Sequence, residues 1–359
     1  MTSVVITGGH HNSALVVAQD LVKNGVKVLW YGQTRASRGD VNDSAEFLEV
    51  KASNIPFYPL HAGKIDSTPS FSEIANIPLG IIRALRLLRA HRPLAVISFG
   101  GYLGATTALS ALLLRIPIYL HEQTTVMGKA NQLTSRFARR VFLTWPNTLH
   151  APSGSTVVGL PLRPGIFSPK HQKIFANSLP TILIMGGKRG SHAINQTVLS
   201  NLNTLLTHYN LVHQTGTNSV TADYSSALSA KSTLNPLLAS RYLPIGYIGE
   251  NELKTYLVSA DLYVGRSGAH ICYELLVTSL PALLIPFAHT TGSEQIKQAK
   301  YLASLSRAQL LPQSQLSGPN LLKAIKLALT LPKLPPAPVP LDASAKIVNQ
   351  ILSDLNPSS

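Results

Sequence analysis

ITGGHHNSALVVA, residues 6–18, decides how this chain is read. A short apolar run, SVVIT at 3–7, ends on two glycines and two histidines. A helical stripe follows at once, with Leu15, Val16, Ala18 and Leu21 apolar and a glycine stop at Gly25 over the segment 12–25. Glycine lets the backbone approach a ligand, and a helix N-terminus beyond it favours an anion. A strand, a glycine turn and a helix in that order begin a parallel βαβ unit. The pattern also raises a question: why do His10 and His11 stand where the strand hands over to the helix?

Outward from that stretch the pattern repeats. VKVLWYG (26–32), LAVISFGG (94–101) and IPIYLHE (116–122) are short apolar runs with polar or glycine ends, separated by helical patterns. A second series starts after GLPLRPGIF (159–167), with TILIMGG (181–187) as a strand and SHAINQTVLSNLNTLLTHY (191–209) as one helix. LVHQTG, YIG, ADLYVGRSG, PALLIPF and AQLLPQ supply further strand ends. Buried strands alternating with helices predict α/β folding with parallel, doubly wound sheets, in two successive domains that divide near 160. LPKLPPAPVP (331–340) holds five prolines and reads as a stiff extended linker. The amphipathic stretch 341–355 after it reads as a last helix that docks away from its preceding neighbour.

Composition narrows the function. The 359 residues suit two domains, and 45% hydrophobic against 13% charged residues describes a globular chain. One cysteine, Cys272, rules out a disulfide framework and suits a reducing cytoplasm. The net charge of +15 points to an anionic partner, either phosphate-bearing substrates or an anionic membrane. Nucleic acid is disfavoured, since neither zinc-finger spacing nor an aromatic-rich basic strand occurs. MTSVVIT lacks the features of a signal peptide. LGATTALSALLLRIPIYL (103–120), the best candidate for a membrane span, is broken by Arg115 and Pro117 and reads as a helix followed by a strand. Membrane contact is therefore expected to be peripheral.

Ligands of parallel sheets bind at the C-terminal strand edges. Four glycine turns fall there: TGGHH (7–11), FGGY (99–102), MGGKRG (185–190) and GRSGAH (265–270). Any βα turn favours glycine, but four such turns over two domains predict a cleft between them. The first turn has no GxGxxG, so a nicotinamide site is not supported. In GRSGAHICYELL, Glu274 lies six residues after Gly268, where it can reach back to a ribose diol or simply be a helix glutamate. His10 is placed either to act as a general base or to pack, and His121-Glu122 forms a second polar strand end. With no His-x-x-x-His, CxxC or Asp-x-Asp, no metal is expected. IIRALRLLRAHRP (81–93) repeats arginine every three residues, which fits an anionic membrane face or a solvated helix face.

These motifs together resemble the MurG family, the bacterial N-acetylglucosaminyltransferases of peptidoglycan synthesis. TGGHHNSALVVA resembles the family's TGGH loop and helix. FGGYLGATTALSALLLRIPIYLHEQTTVMGKAN resembles its second glycine loop and HEQ segment. GLPLR resembles GNPVR, and MGGKRGSHAIN resembles the GGSQGA turn with its later asparagine. HQTG, the run from YIG to LLIPF, and EQIKQA complete a collinear set over nearly the whole chain. The resemblance implies a GT-B architecture of two Rossmann-like domains whose parallel sheets face a central cleft. It assigns 1–160 to the lipid-linked acceptor and the membrane face, with 341–355 returning to it, and 161–340 to UDP-GlcNAc. The implied reaction is inverting and metal-independent. GlcNAc passes from UDP-GlcNAc to the C4 hydroxyl of undecaprenyl-diphospho-MurNAc-pentapeptide, making lipid II at the cytoplasmic face of the membrane. A cell-wall synthesis complex is left open as a further partner.

Carried over residue by residue, the resemblance makes His10 the catalytic base and leaves His11 unassigned. Thr7, Gly8, Gly9, Gly100, Gly101, Tyr102, Glu122, Thr124 and Asn131 fall on the acceptor side. Arg163, Gly187, Lys188, Asn195, Ser267, Gly268, Ala269, Glu274 and Gln295 fall on the donor side, with Gly190 in the same turn as Gly187. Several positions depart from the family. Thr124 replaces the asparagine after HEQ, Lys188 and Arg189 replace small or amide residues, His270-Ile271 replaces leucine-threonine, and Ser13 replaces proline. The rival readings are another lipid-directed UDP-sugar transferase of the same fold, such as a diacylglycerol glucosyltransferase, and a non-catalytic membrane-associated scaffold.

Overall fold

The structure is a computed structural model and describes residues 3–35, 43–63, 71–163, 166, 171–187, 189–288 and 293–355. The chain forms two units, Met1–Arg163 with Pro340–Ser359 and Pro164–Val339.

In the first unit the chain runs β1 (Ser3–Thr7), α1 (His11–Lys23), β2 (Lys27–Gly32), α2 (Ala45–Ala52), β3 (Phe57–Pro59) and α3 (Phe71–His91). It continues through β4 (Ala95–Ser98), α4 (Gly101–Leu113), β5 (Ile118–Glu122), α5 (Lys129–Thr134), β6 (Arg140–Leu143) and β7 (Thr156–Val157). All strand pairings are parallel, in the order β3-β2-β1-β4-β5-β6-β7. Period-two alternation divides β1 between two cores. Val4 and Ile6 pack with Ala14, Leu15, Ala18 and Leu21 of α1. Val5 packs on the opposite face with Leu103, Ala108 and Ala111 of α4 and with Ala84 and Leu88 of α3. Burial on both faces is why Val4, Val5 and Ile6 follow one another as an unbroken apolar run.

The second unit repeats the plan with β8 (Thr181–Met185), α6 (His192–Ser200), α7 (Leu202–His208), β9 (Asn210–Gln214), α8 (Asp223–Thr233), α9 (Pro236–Ala239) and β10 (Tyr242–Ile245). Then come α10 (Glu250–Ser259), β11 (Leu262–Gly265), α11 (Ala269–Thr278), β12 (Ala282–Leu284), α12 (Glu294–Ser304), β13 (Ala308–Leu310) and α13 (Gly318–Ala328). The parallel order is β10-β9-β8-β11-β12-β13. Both sheets are therefore Rossmann-like. In each, chain direction across the sheet reverses beside the first strand, between β1 and β4 and between β8 and β11, which is where such sheets bind ligands.

The last helix, α14 (Ala343–Leu355), belongs to the first unit. Ile347, Val348 and Ile351 are fully buried in the α1 core, each worth about 1.5–3 kcal/mol. Ser344 Oγ donates to Asp20 Oδ2 at 2.6 Å, and Arg140 grips Asp354 through Nε at 3.0 Å and Nη2 at 2.9 Å.

Two sequence expectations are adjusted. The single helix read over 191–209 is two, because Asn201 leaves helical geometry (φ −120°, ψ 17°). Its amide donates to Thr197 O at 2.8 Å, closing α6 while its own carbonyl starts α7. The basic helix read over 81–93 is the second half of the longer α3, which carries Pro78 inside it. In the 103–120 stretch the helix ends at Leu113, Arg115 takes φ +58°, and the strand begins at Ile118. Among the described residues no helix is long and apolar enough to cross a membrane.

Candidate active site

At the β1/β4 switch point two glycine turns cross. Phe99 N donates to Thr7 O at 2.9 Å and Gly9 N donates to Gly100 O at 3.0 Å. Gly8 has φ +148°, and a Cβ there would sit 2.7 Å from Phe99 N, so only glycine permits this approach. The crossing fixes His10. Its Nδ1 lies 3.0 Å from Phe99 O, and a carbonyl can only accept, so Nδ1 carries the proton and Nε2 the lone pair. Burial lowers the His10 pKa from 6.5, opposed by the Glu122 carboxylate. The ring is thus held neutral with a basic nitrogen free of the backbone bond, as a general base requires.

Glu122, at the end of β5, is only 3% exposed. Its Oε1 accepts from Thr124 N at 3.0 Å and lies 2.8 Å from Thr124 Oγ1. Its Oε2 accepts from Gly128 N at 3.0 Å and Asn131 Nδ2 at 2.9 Å. Thr124 therefore serves the carboxylate through its backbone N–H, while its one hydroxyl proton has two acceptors in reach, Glu122 Oε1 and Val126 O at 2.6 Å. Asn131 also reaches toward the second glycine turn, since a Cβ on Gly100 would meet its Nδ2 at 3.3 Å. Tyr102 is half-buried in the first turn of α4, and Gly101 opens that helix. Thr7 Oγ1 is buried with no partner among the described residues. Thr7, Gly8, Gly9, His10, Gly100 and Gly101 thus share one crossing, tied through Asn131 to Glu122 and Thr124.

Arg163 lies at the end of the same unit. Its Nη2 donates to Glu49 Oε2 of α2 at 2.8 Å, and His11 Nε2 stands 3.5 Å from the same oxygen. No sequence motif marks Glu49. It lies 114 residues from Arg163 in the chain, so only folding reveals the pair.

At the β8/β11 switch point the turn Gly186–Gly190 leads into α6. Gly190 has φ +79°, and any Cβ there would run into the Thr215 carbonyl. Lys188 lies outside the described residues. Asn195 is fully buried. Its Nδ2 donates to Thr215 O at 2.8 Å and Asp223 Oδ2 at 2.9 Å, while His213 Nε2 donates to its Oδ1 at 3.0 Å. The side chain thus holds the turn from behind. Asp223 also accepts from His192 Nδ1 at 2.8 Å.

Across the switch point Gly265 packs against the Met185 carbonyl, and Arg266 N donates to Met185 O at 3.2 Å. The Arg266 guanidinium is spent inside the unit, on Ile285 O, Ser191 Oγ and Gln313 Oε1. Ser267 is fully buried and donates to Gln295 O at 2.8 Å. Gln295 Oε1 accepts from Phe287 N at 3.0 Å, leaving its side-chain amide as the donor end. Gly268 caps α11, and a Cβ built on it would meet nothing within 4 Å, so the N-terminus of this ten-residue helix adjoins open space. Ala269 is its first residue, and Glu274 is half-buried in its second turn. Gly187, Ser267, Gly268 and Ala269 therefore lie on the paired β8 and β11 edges. Cys272 is buried, and burial with the Glu274 charge pushes its thiol up, away from reactivity. His192, His213 and Asp223 had no sequence signal beyond their residue types.

Comparison with known proteins agrees with this two-unit fold. Residues 3–143 match the glycosyltransferase family 28 N-terminal domain and residues 181–350 its C-terminal domain. The UDP-N-acetylglucosamine–N-acetylmuramyl-(pentapeptide) pyrophosphoryl-undecaprenol N-acetylglucosamine transferase of Methylococcus capsulatus is 31% identical, over 90% of this chain and 87% of its own. The enzyme of that name from Clostridium botulinum is 27% identical, over 90% of each chain. The crystal structure of Acinetobacter baumannii MurG superposes with a TM-score of 0.72 at 25% identity, covering 98% of this chain and 100% of that one. A UDP-GlcNAc 2-epimerase from Neisseria meningitidis shares the fold, with a TM-score of 0.66 at 16% identity over 98% of this chain and 100% of its own.

Proposed function

From the premise that this chain belongs to glycosyltransferase family 28, in its MurG branch, we propose that it is the UDP-GlcNAc-dependent transferase that converts undecaprenyl-diphospho-MurNAc-pentapeptide into lipid II. The single observation that carries the chemistry is His10, whose Nδ1 is locked on Phe99 O at 3.0 Å with Nε2 left basic.

The C4 hydroxyl of the muramoyl sugar attacks the anomeric carbon of GlcNAc from the face opposite UDP. Nε2 of His10 takes the hydroxyl proton as the new C–O bond forms, the bond to UDP breaks, and configuration inverts. A general base contributes typically ~10²–10⁴-fold. The acceptor diphosphate is read by the backbone of the Gly8–Gly9 and Gly100–Gly101 turns. The buried Glu122 and its Thr124 and Asn131 donors keep those turns in place.

On the donor side, UDP leaves as an anion toward the α11 N-terminus at Gly268 and Ala269, worth about 0.3–2 kcal/mol of dipole interaction, and toward the Gly187 turn. Glu274 accepts from the ribose diol, the Gln295 amide donates to the donor sugar, and Arg163 faces the diphosphate. Asn195 and Ser267 support these turns from inside. No metal is assigned a part, because the helix terminus and Arg163 are assigned the leaving charge. Exposed Arg83, Arg86 and Arg89 on α3, beside exposed Leu79 and Ile82, support peripheral attachment to an anionic membrane face.

Titration with UDP-GlcNAc, UDP-glucose and UDP, followed by assay with the lipid-linked muramoyl acceptor, tests this reading. Preference for UDP-GlcNAc and formation of the disaccharide lipid sustain it. Preference for UDP-glucose with transfer to diacylglycerol would replace it, and binding without turnover would return the scaffold reading.

A further inference from the structure

Glu49 is the unforeseen member of the site. It stands on α2, an eight-residue helix opened by Ser44, whose hydroxyl accepts from Phe47 N at 3.1 Å. Glu46, one turn earlier, is committed elsewhere. Its Oε1 accepts from Trp30 Nε1 at 2.8 Å, which leaves Glu49 as the α2 carboxylate that meets Arg163 and His11. One oxygen of Glu49, Oε2, serves both Arg163 Nη2 at 2.8 Å and His11 Nε2 at 3.5 Å. The pair is partly shielded, with side-chain exposures of 34% for Arg163 and 22% for Glu49. His11 is the first residue of α1, directly after the catalytic histidine. The cluster therefore joins three separate chain segments: the α1 start, α2 and the last residue before the second unit.

An arginine on a connecting segment has long, mobile rotamers, and ordering them costs free energy at binding. A guanidinium has five N–H donors in a planar fork, so one can be anchored while the plane is aimed with the others. We propose that Glu49 is a positioning residue: its carboxylate, shared with His11, anchors Arg163 through Nη2 so that the guanidinium is pre-set for the donor diphosphate. This rests on the donor role proposed above for Arg163. It also gives His11 a part, as the second group that fixes the Glu49 rotamer. Glu49 acts only through Arg163 and touches no substrate.

A double-mutant cycle on the full chain tests this, using steady-state kinetics in UDP-GlcNAc at fixed acceptor with wild type, Glu49→Gln, Glu49→Ala, Arg163→Ala and Glu49→Ala/Arg163→Ala. Melting temperatures are read alongside to certify folding. Glu49→Ala raises the KM for UDP-GlcNAc about fivefold, the upper end for a half-exposed ion pair, and leaves kcat nearly unchanged. Glu49→Gln, which keeps an acceptor oxygen, raises it less. In the Arg163→Ala background the Glu49 substitution adds nothing. Additive effects would overturn the proposal, as would folded Glu49 variants with wild-type KM. An Arg163→Ala enzyme with wild-type KM would overturn it while leaving the transferase reading intact, and wild-type protein that binds no UDP-GlcNAc would overturn both.

Discussion

The two units share one strand order but use it differently. Each brings glycine turns together at its switch point, and each buries a histidine near the strand ends. At the β1/β4 crossing a titratable ring, His10, is aimed by a backbone carbonyl with one nitrogen left over. At the β8/β11 crossing the ionisable groups are consumed internally: Arg266 by three acceptors, and Asp223 by Asn195 and His192. The buried histidines repeat the contrast. His213 uses both nitrogens, on Tyr242 Oη and Asn195 Oδ1 at 3.0 Å each. His121 donates from Nε2 to Gly159 O at 3.2 Å, while its buried Nδ1 has no partner among the described residues. One switch point holds a histidine ring by a single nitrogen, and the other spends its ionisable groups on partners inside the unit.

The largest effect expected from breaking this contrast is at His10. His10→Ala lowers kcat by about 10²–10⁴-fold and leaves UDP affinity at the wild-type value, read by turnover assay and calorimetry on one preparation. Equal losses in binding and turnover would erase the division of labour. Next comes Glu274→Ala, expected to weaken UDP binding by about 10–100-fold, the worth of charged hydrogen bonds to a diol, with no change in acceptor affinity.

The buried histidines sharpen the comparison through stability. His213→Leu strands Tyr242 Oη and Asn195 Oδ1 and costs about 2–4 kcal/mol, whereas His121→Leu strands only an acceptor that Thr144 also approaches and costs about 1 kcal/mol, measured by denaturant unfolding. Acid acts on both units. Burial lowers each pKa to about 4 from 6.5, so the unfolded chain binds more protons between those values. Their stabilising contribution is complete above 6.5 and is lost as pH falls toward 4, at up to about 1.4 kcal/mol per pH unit for each ring. Activity falls on the acid side too, with an inflection below 6.5 that belongs to His10. Absence of that inflection would remove His10 as the base.

The smallest effect is at α14. Asp354 is held at a pKa of about 2 by its hydrogen bond to Arg140, yet both arginines that face it are 45% exposed. Asp354→Asn is expected to cost only about 0.5–1 kcal/mol in low salt and less in high salt, because buried Ile347, Val348 and Ile351 carry the docking.

What was legible in the sequence was whatever is encoded over short spans. Apolar runs of strand length ending in glycine and stripes of helical period pointed to the α/β class, and the proline run 331–340 to a linker before the last helix. The resemblance of TGGH, HEQ and the GRSGAH–Glu274 segment to family motifs pointed to the family and to the candidate base, and each such motif lies within about ten residues because a turn, a cap or a helical face is local. Tertiary structure alone decided where side chains spend their hydrogen bonds. The side chains of Asn195 and Ser267, which the resemblance puts on the donor side, are fully buried and bonded to partners 18–28 residues away. The break at Asn201 and the Glu49–Arg163 pair were equally silent. The physical reason is range. Backbone periodicity is local, whereas a side-chain partner is chosen by whichever donor or acceptor the fold brings within about 3 Å, and no spacing in the chain records that choice.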